Sequence, residues 1–139
     1  MNNKEIVKKF VNIIMKNGKK SIASKILNLS IDKASKELGF KKDQLLIQCL
    51  NNVKPFVDAR SKKIGSTSYI IPYAITKEQS INIGVKIIIK VARDRKEKSF
   101  VDRLVNEFVE AYNNRGASVK KKNDIHKLAE VNKSFAFFR

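Results

Sequence analysis

The stretch TKEQSINIGVKIIIKVARDR, residues 76–95, decides the fold. Ile81, Ile83, Val85 and Ile87 alternate with other residues, which is the period of a half-buried strand. Ile81, Val85, Ile88 and Ala92 form a helical stripe across the same segment. Thr76 and Gln79 stand three apart just before the apolar run, the spacing of a capping box. That cap, and a length well beyond a strand's usual run of about 4–8 residues, select a central buried helix over 77–95.

Downstream, Ser99 and Asp102 open an amphipathic helix with Phe100, Val101, Leu104, Val105, Phe108, Val109 and Tyr112 inward. Gly116 closes it. VKKK at 119–122 reads as a basic connector to a last helix from about Asn123, carrying Ile125, Leu128, Ala129, Val131 and Phe135. Upstream, Tyr69, Ile71, Tyr73 and Ile75 alternate, Gly65 marks a turn and Pro72 suits an edge strand. These features predict a β-hairpin over about 57–76. Before it come three helices. The first covers 5–16 and stops at Asn17-Gly18, and the second runs from about Ser21 to Gly39. The third is short, with Asp43 as its N-cap and Pro55 at its end. No internal repeat or linker interrupts residues 1–139. The expected architecture is a single, mainly α domain of about six helices with a protruding β-hairpin arm.

Hydrophobic residues make up 42% of the 139, enough for a core, yet 30 Lys and Arg against 13 Asp and Glu leave a net charge of +17. Charge of this size opposes compaction, so it points to a polyanionic partner: nucleic acid first, an anionic membrane surface second. No apolar run approaches the roughly 20 residues that span a bilayer. Lys4, Glu5, Lys8 and Lys9 break up any apolar start of a secretory signal. A single cysteine, Cys49, excludes an intramolecular disulfide or a cysteine-cluster metal site, and on its apolar helical face it reads as core. His126, the only histidine, has no neighbouring partners for metal or nucleophilic chemistry. No cofactor, metal or catalytic residues are expected.

The cations gather at turns and element ends. They fall into Lys16, Lys19 and Lys20; Arg60, Lys62 and Lys63; Arg93, Arg95, Lys96 and Lys98; and Arg115 with Lys120, Lys121 and Lys122. Acidic residues lie elsewhere, as at Asp102, Glu107 and Glu110. Such clusters position nucleic acid through phosphate contacts. No zinc finger, basic zipper or recognition helix for DNA is present. A hairpin with basic loops suits folded RNA, whose junctions offer shape and unstacked bases. Tyr69, Phe137 and Phe138 have two readings each: stacking on bases, or packing at the hairpin root and under the last helix. His126 reads as a neutral hydrogen-bond donor to phosphate or ribose.

Several strings together resemble a known family. NVKPFVDARSKKIGSTSY, the set Ala92, Arg93, Arg95, Glu97, Lys98 and Ser99, RGASVKKKND and HKLAEVNKSFAFFR are similar to small-subunit ribosomal protein seven of bacterial or organellar type. So is KFVNIIMKNGKKSIA. The resemblance runs from about Lys8 to Arg139 in order and almost without gaps. It implies a helical domain with a hairpin arm that binds the 3′ major domain of small-subunit rRNA and organises the head. It also implies a position near the tRNA exit site and mRNA exit path, with neighbouring head and platform proteins as partners. The rRNA contacts it implies are Lys8, Lys9, Lys16, Lys19, Lys20, Arg60, Lys62, Lys63, Arg93, Arg95, Lys98, Arg115, Lys120, Lys121, Lys122, His126 and Lys127.

Three departures from the family pattern stand out. Almost no basic arm precedes Lys4, Ser66 replaces the second of two usual tip glycines, and the chain ends at Phe137-Phe138-Arg139 without the usual tail. The Lys, Ile and Asn bias and the lack of an Arg-rich presequence lead to an expectation of synthesis inside a mitochondrion, with a plastid or an A/T-rich bacterium as alternatives. Two rival functions are a general DNA-compacting protein and an RNA-modifying enzyme. The first leaves the ordered strings unexplained. The second lacks a glycine-rich cofactor loop or paired carboxylates.

Overall fold

Six α-helices, one of them central, form the body of the described residues, and a β-hairpin packs at one side. The computed structural model describes residues 2–138, with side chains described through residue 135. The central element is α4 (Lys77–Asp94), the segment with two readings, and its ends explain the choice. Thr76 Oγ1 accepts from the Gln79 amide at 3.2 Å, and Gln79 Oε1 accepts from the Thr76 amide at 3.0 Å. Val85, Ile88, Ile89 and Ala92 are buried on it.

Around α4 lie α1 (Asn3–Ile14), α3 (Lys42–Val53), α5 (Phe100–Tyr112) and α6 (Ala117–Val131), while α2 (Lys20–Leu38) packs against α1, α3 and α5. A capping box between Asn2 and Glu5 starts α1. It ends at Ile14, two residues before the predicted stop, and Asn17 and Gly18 then turn through positive φ. Phe10 of α1 meets Phe108 of α5 edge to face, with ring centres 5.9 Å apart, in the middle of the core. Cys49 lies in the same core, its thiol donating to the Phe108 carbonyl at 3.3 Å. Burial there pushes its pKa up to about 12.

Three further boundaries differ from the sequence reading. The N-cap of α3 is Lys41, not Asp43, which sits in the first turn where its charge faces the positive end of the helix. Gly116 does not close α5. That helix stops at Asn113 and the left-handed Asn114, with Asn52 Nδ2 donating to the carbonyls of Ala111 and Tyr112 at 2.8 and 3.1 Å. Gly116 is instead the N-cap of α6, so residues 119–122 are helical rather than a connector. Its φ of 95° favours glycine, and a Cβ there would crowd the Glu110 side chain, displacing the carboxylate from its place beside Arg95. Along α6 only part of the predicted inward face is covered. Ala129 is buried, but Leu128 and Val131 are exposed. Phe135 lies in a short 3-10 helix, Lys133–Phe138. The readings for Phe137 and Phe138 fall outside the described side chains.

The hairpin pairs β1 (Val57–Ile64) with β2 (Thr67–Ala74) in antiparallel register, Ile64 opposite Thr67. Both strands touch α6, and β2 also touches the terminal 3-10 helix. Ile71 is fully buried there, apart from the main core. Two residues make the tip. Gly65 has φ of 63°, and Ser66 is not among the described residues with positive φ. A two-residue turn with positive φ only at its first position is the II′ pattern, which needs glycine there and not at the second. Ser66 therefore replaces the second glycine without backbone strain.

Candidate nucleic-acid interface

The cations named from sequence divide into outward and inward groups. On the hairpin, Lys62 stands opposite Tyr69 and Lys63 opposite Ser68, so consecutive lysines leave opposite faces of the ribbon. Arg60 shares the face of Lys62 and is held in place: Nε donates to Asp58 Oδ2 at 2.9 Å, and the guanidinium lies 5.4 Å from the Tyr73 ring centre. Tyr69 sets its ring 5.1 Å from Phe135, at the seam between β2 and the terminal 3-10 helix. This contact serves packing, but in the tip half of the hairpin, since Tyr69 pairs with Lys62, rather than at the root.

Lys8, Lys16, Lys19 and Lys20 are exposed on α1, the α1–α2 turn and the start of α2. Lys9 is turned inward, donating to Asn82 Oδ1 of α4 at 2.7 Å with Glu78 3.8 Å away. Arg93 caps the end of α1 by donating from Nη2 to the Ile13 carbonyl at 3.1 Å. It remains exposed, as do Lys98, Arg115, Lys120 and Lys127, whereas Lys121 and Lys122 are half-buried. Lys120 to Lys122 crowd the first turns of α6, where the helix dipole already carries partial positive charge. Cations there are unfavourable for the helix alone and raise the local potential for an anion.

Arg95 departs most from its sequence reading. Its guanidinium donates to Glu97 at 3.0 and 3.1 Å, to Glu107 Oε2 at 3.1 Å and to Glu110 Oε2 at 3.3 Å. Glu107 is fully buried and also accepts from the Ser118 hydroxyl of α6, and Asn106 Nδ2 donates to Glu97 at 2.9 Å. The hydrogen bonds from Arg95 hold Glu97 at a pKa of about 2, and those to Glu97 and Glu107 raise that of Arg95. This cluster ties the α4–α5 turn to α5 and α6. It takes Arg95 out of the outward set.

His126 is half-buried, with its ring stacked on Phe56 at 5.7 Å and its Nε2 accepting from the Phe56 amide at 3.0 Å. Nε2 is thus an acceptor, which places the N–H of the neutral ring on Nδ1 as its donor. Burial, then the charge of Lys122, lowers its pKa below 6.5. The unfolded chain takes up a proton at higher pH than the folded one, so stability falls as pH drops through and below about 6.5. Denaturant titrations from pH 7.5 to 5 are expected to show this loss, and His126→Gln to remove that part of the slope. An unchanged slope in the variant would mean the histidine is not coupled to folding.

Sequence reasoning missed Lys86 and Lys90, both exposed on α4 one turn apart. With Lys121 they line a cavity of about 390 Å³ between α4 and α6, floored by Ile83, Ile87 and Ile125. The signal was present: lysines at i and i+4 on the face opposite the buried stripe, obscured by the apolar run around them. A second cavity brings Lys16, Lys19 and Arg93 together. Among the described residues no group of acidic, histidine or cysteine side chains is placed to hold a metal. No described helix is long and apolar enough to cross a membrane.

A helical domain with exposed cations on its hairpin, its α1–α2 turn, α4 and α6, and three carboxylates gathered on Arg95, belongs to the class of basic proteins that dock on polyanions. Residues 1–133 match the family model described as Ribosomal protein S7p/S5e. The chain belongs to this family. It is 40% identical over 134 residues to small ribosomal subunit protein uS7 of Geotalea uraniireducens, covering 96% of this chain and 86% of that one. It is 40% identical over 137 residues to the protein of that name from Symbiobacterium thermophilum, and 37% to that from Helicobacter hepaticus. Both of those alignments cover 99% of this chain and 88% of the relative.

Proposed function

We propose that this protein is a structural, non-enzymatic constituent of the small ribosomal subunit, binding the 3′ major domain of its rRNA and ordering the head. Family membership and the names of the relatives support the subunit. The observation that carries RNA binding is the sorting of charge. Exposed lysines and arginines occupy the hairpin, the α1–α2 turn, α4 and α6, while Glu97, Glu107 and Glu110 converge on the half-buried Arg95, which neutralises them away from those cations. Neighbouring head and platform proteins, exit-site tRNA and mRNA complete the proposed surroundings.

The outward cations, Arg60, Lys62 and Lys63 with Lys16, Lys19, Lys86, Lys90 and Lys120, position the RNA through phosphates, and the rigid helical body fixes their spacing. Affinity for folded 3′-domain RNA and for duplex DNA, measured at matched salt, tests the proposal. Tighter RNA binding is expected, and equal affinity would favour a general nucleic-acid binder. Synthesis in a mitochondrion rests on the Lys, Ile and Asn bias, and the relatives named above are bacterial. Sequencing the rRNA that cosediments with the protein decides the compartment.

A further inference from the structure

Where the end of α1, the start of α2, the end of α4 and the start of α5 meet, they enclose a cavity of about 450 Å³, within the range of small-ligand sites. Ile22, Ile26 and Phe100 contribute apolar wall, Lys16, Lys19, Arg93 and Arg103 contribute charge, and no carboxylate lines it. Ile22 is 52% exposed, an unusual position for a large apolar side chain beside a cluster of cations. Both arginines are held in place: Arg93 by the Ile13 carbonyl, and Arg103 through Nε by the carbonyl of Glu97. Lys16 and Lys19 form no ion pair among the described residues.

We propose that this cavity takes one unpaired RNA base, turned out of its stack, with its flanking phosphates on Lys16, Lys19, Arg93 and Arg103. The inference rests on the RNA-binding reading above and adds a base-sized subsite to it. The pairing of walls and rim selects the occupant. A purine or pyrimidine ring presents flat apolar faces to Ile22, Ile26 and Phe100, and its own backbone brings the anions the rim requires. A duplex phosphate ridge would satisfy the cations and leave the apolar wall in water.

Isoleucine methyl NMR on the full chain tests this, because Ile22 and Ile26 carry reporters in the wall. A single-stranded oligoribonucleotide is expected to shift both methyls, whereas the same sequence as a duplex, or inorganic phosphate, leaves them in place. Equal shifts with phosphate would overturn the proposal, because the cluster would then sense charge alone. Ile22→Ser, which removes apolar wall without adding charge, is expected to weaken binding to folded 3′-domain RNA about tenfold, the order of burying one large aliphatic side chain. Its melting temperature should hold, since the side chain is exposed. Lys86→Ala with Lys90→Ala provides the separate reading of RNA binding. If that pair weakens binding while Ile22→Ser does not, the base subsite falls and the RNA reading stands. If the wild type fails to bind the RNA, both fall.

Discussion

Arg95→Ala is expected to destabilise the protein by about 3 kcal/mol, at the low end for breaking a buried ion pair because the arginine is 22% open to solvent. The loss comes mainly from what remains. Glu107 is fully buried, and without the guanidinium its carboxylate keeps the Ser118 hydroxyl as its only described hydrogen-bond partner. In a chain of this length the change corresponds to roughly 10 °C in melting temperature. Adding Glu107→Gln removes the stranded charge and should recover part of the loss. A loss under about 1 kcal/mol, or no recovery in the double variant, would show that the cluster is not a structural clamp. Affinity of Arg95→Ala for RNA, measured well below its melting point, should stay within about twofold of wild type. A large drop there would return Arg95 to the RNA-contacting set.

The second large effect concerns the surface of α4 and α6. Replacing Lys86, Lys90, Lys120 and Lys121 together by alanine removes four cations from one end of the proposed interface. If each meets one phosphate, the slope of log affinity against log salt becomes shallower by about 3, at 0.7–0.9 per contact. Affinity at moderate ionic strength should fall by one to two orders of magnitude, roughly uniformly across RNA sequences, since phosphate contacts carry no base information. The same charges removed from the hairpin, by Lys62→Ala with Lys63→Ala, are expected to change the slope by about half as much. Filter binding over a salt series measures both. An unchanged slope in the quadruple variant would mean that this face meets another partner.

What could be read from the sequence was what local chemistry determines. The Thr76–Gln79 box and the apolar stripe behind it selected helix over strand for α4, because both signals lie within one segment. The alternation of Tyr69, Ile71 and Tyr73 located β2 for the same reason. Asp43 misled because an acidic residue suits the first turn as well as the cap, and Lys41 makes no side-chain cap that would mark the true start. Lysines 120–122 read as a connector because their charge opposes the helix dipole, a local cost the tertiary fold overrides. Arg95 was beyond reach for a different reason. Its partners Glu107 and Glu110 are 12 and 15 residues away and are brought to it only when α5 folds back on α4. The exposure of Leu128 and Val131 was hidden similarly, since a periodic apolar stripe does not say which part of it finds a neighbour.

The place of Cys49 has a consequence for the chemistry of the whole molecule. Its thiol is fully buried, bonded to the Phe108 carbonyl and held protonated far above neutral pH, so it is neither nucleophile nor redox centre while the core is closed. Once α3 and α5 separate, the same sulfur becomes an ordinary thiol in water. The protein therefore carries a single chemical label that is silent in the native state. At reagent concentrations where labelling outpaces reclosing, the rate at which a thiol reagent reaches it is the rate at which the core opens.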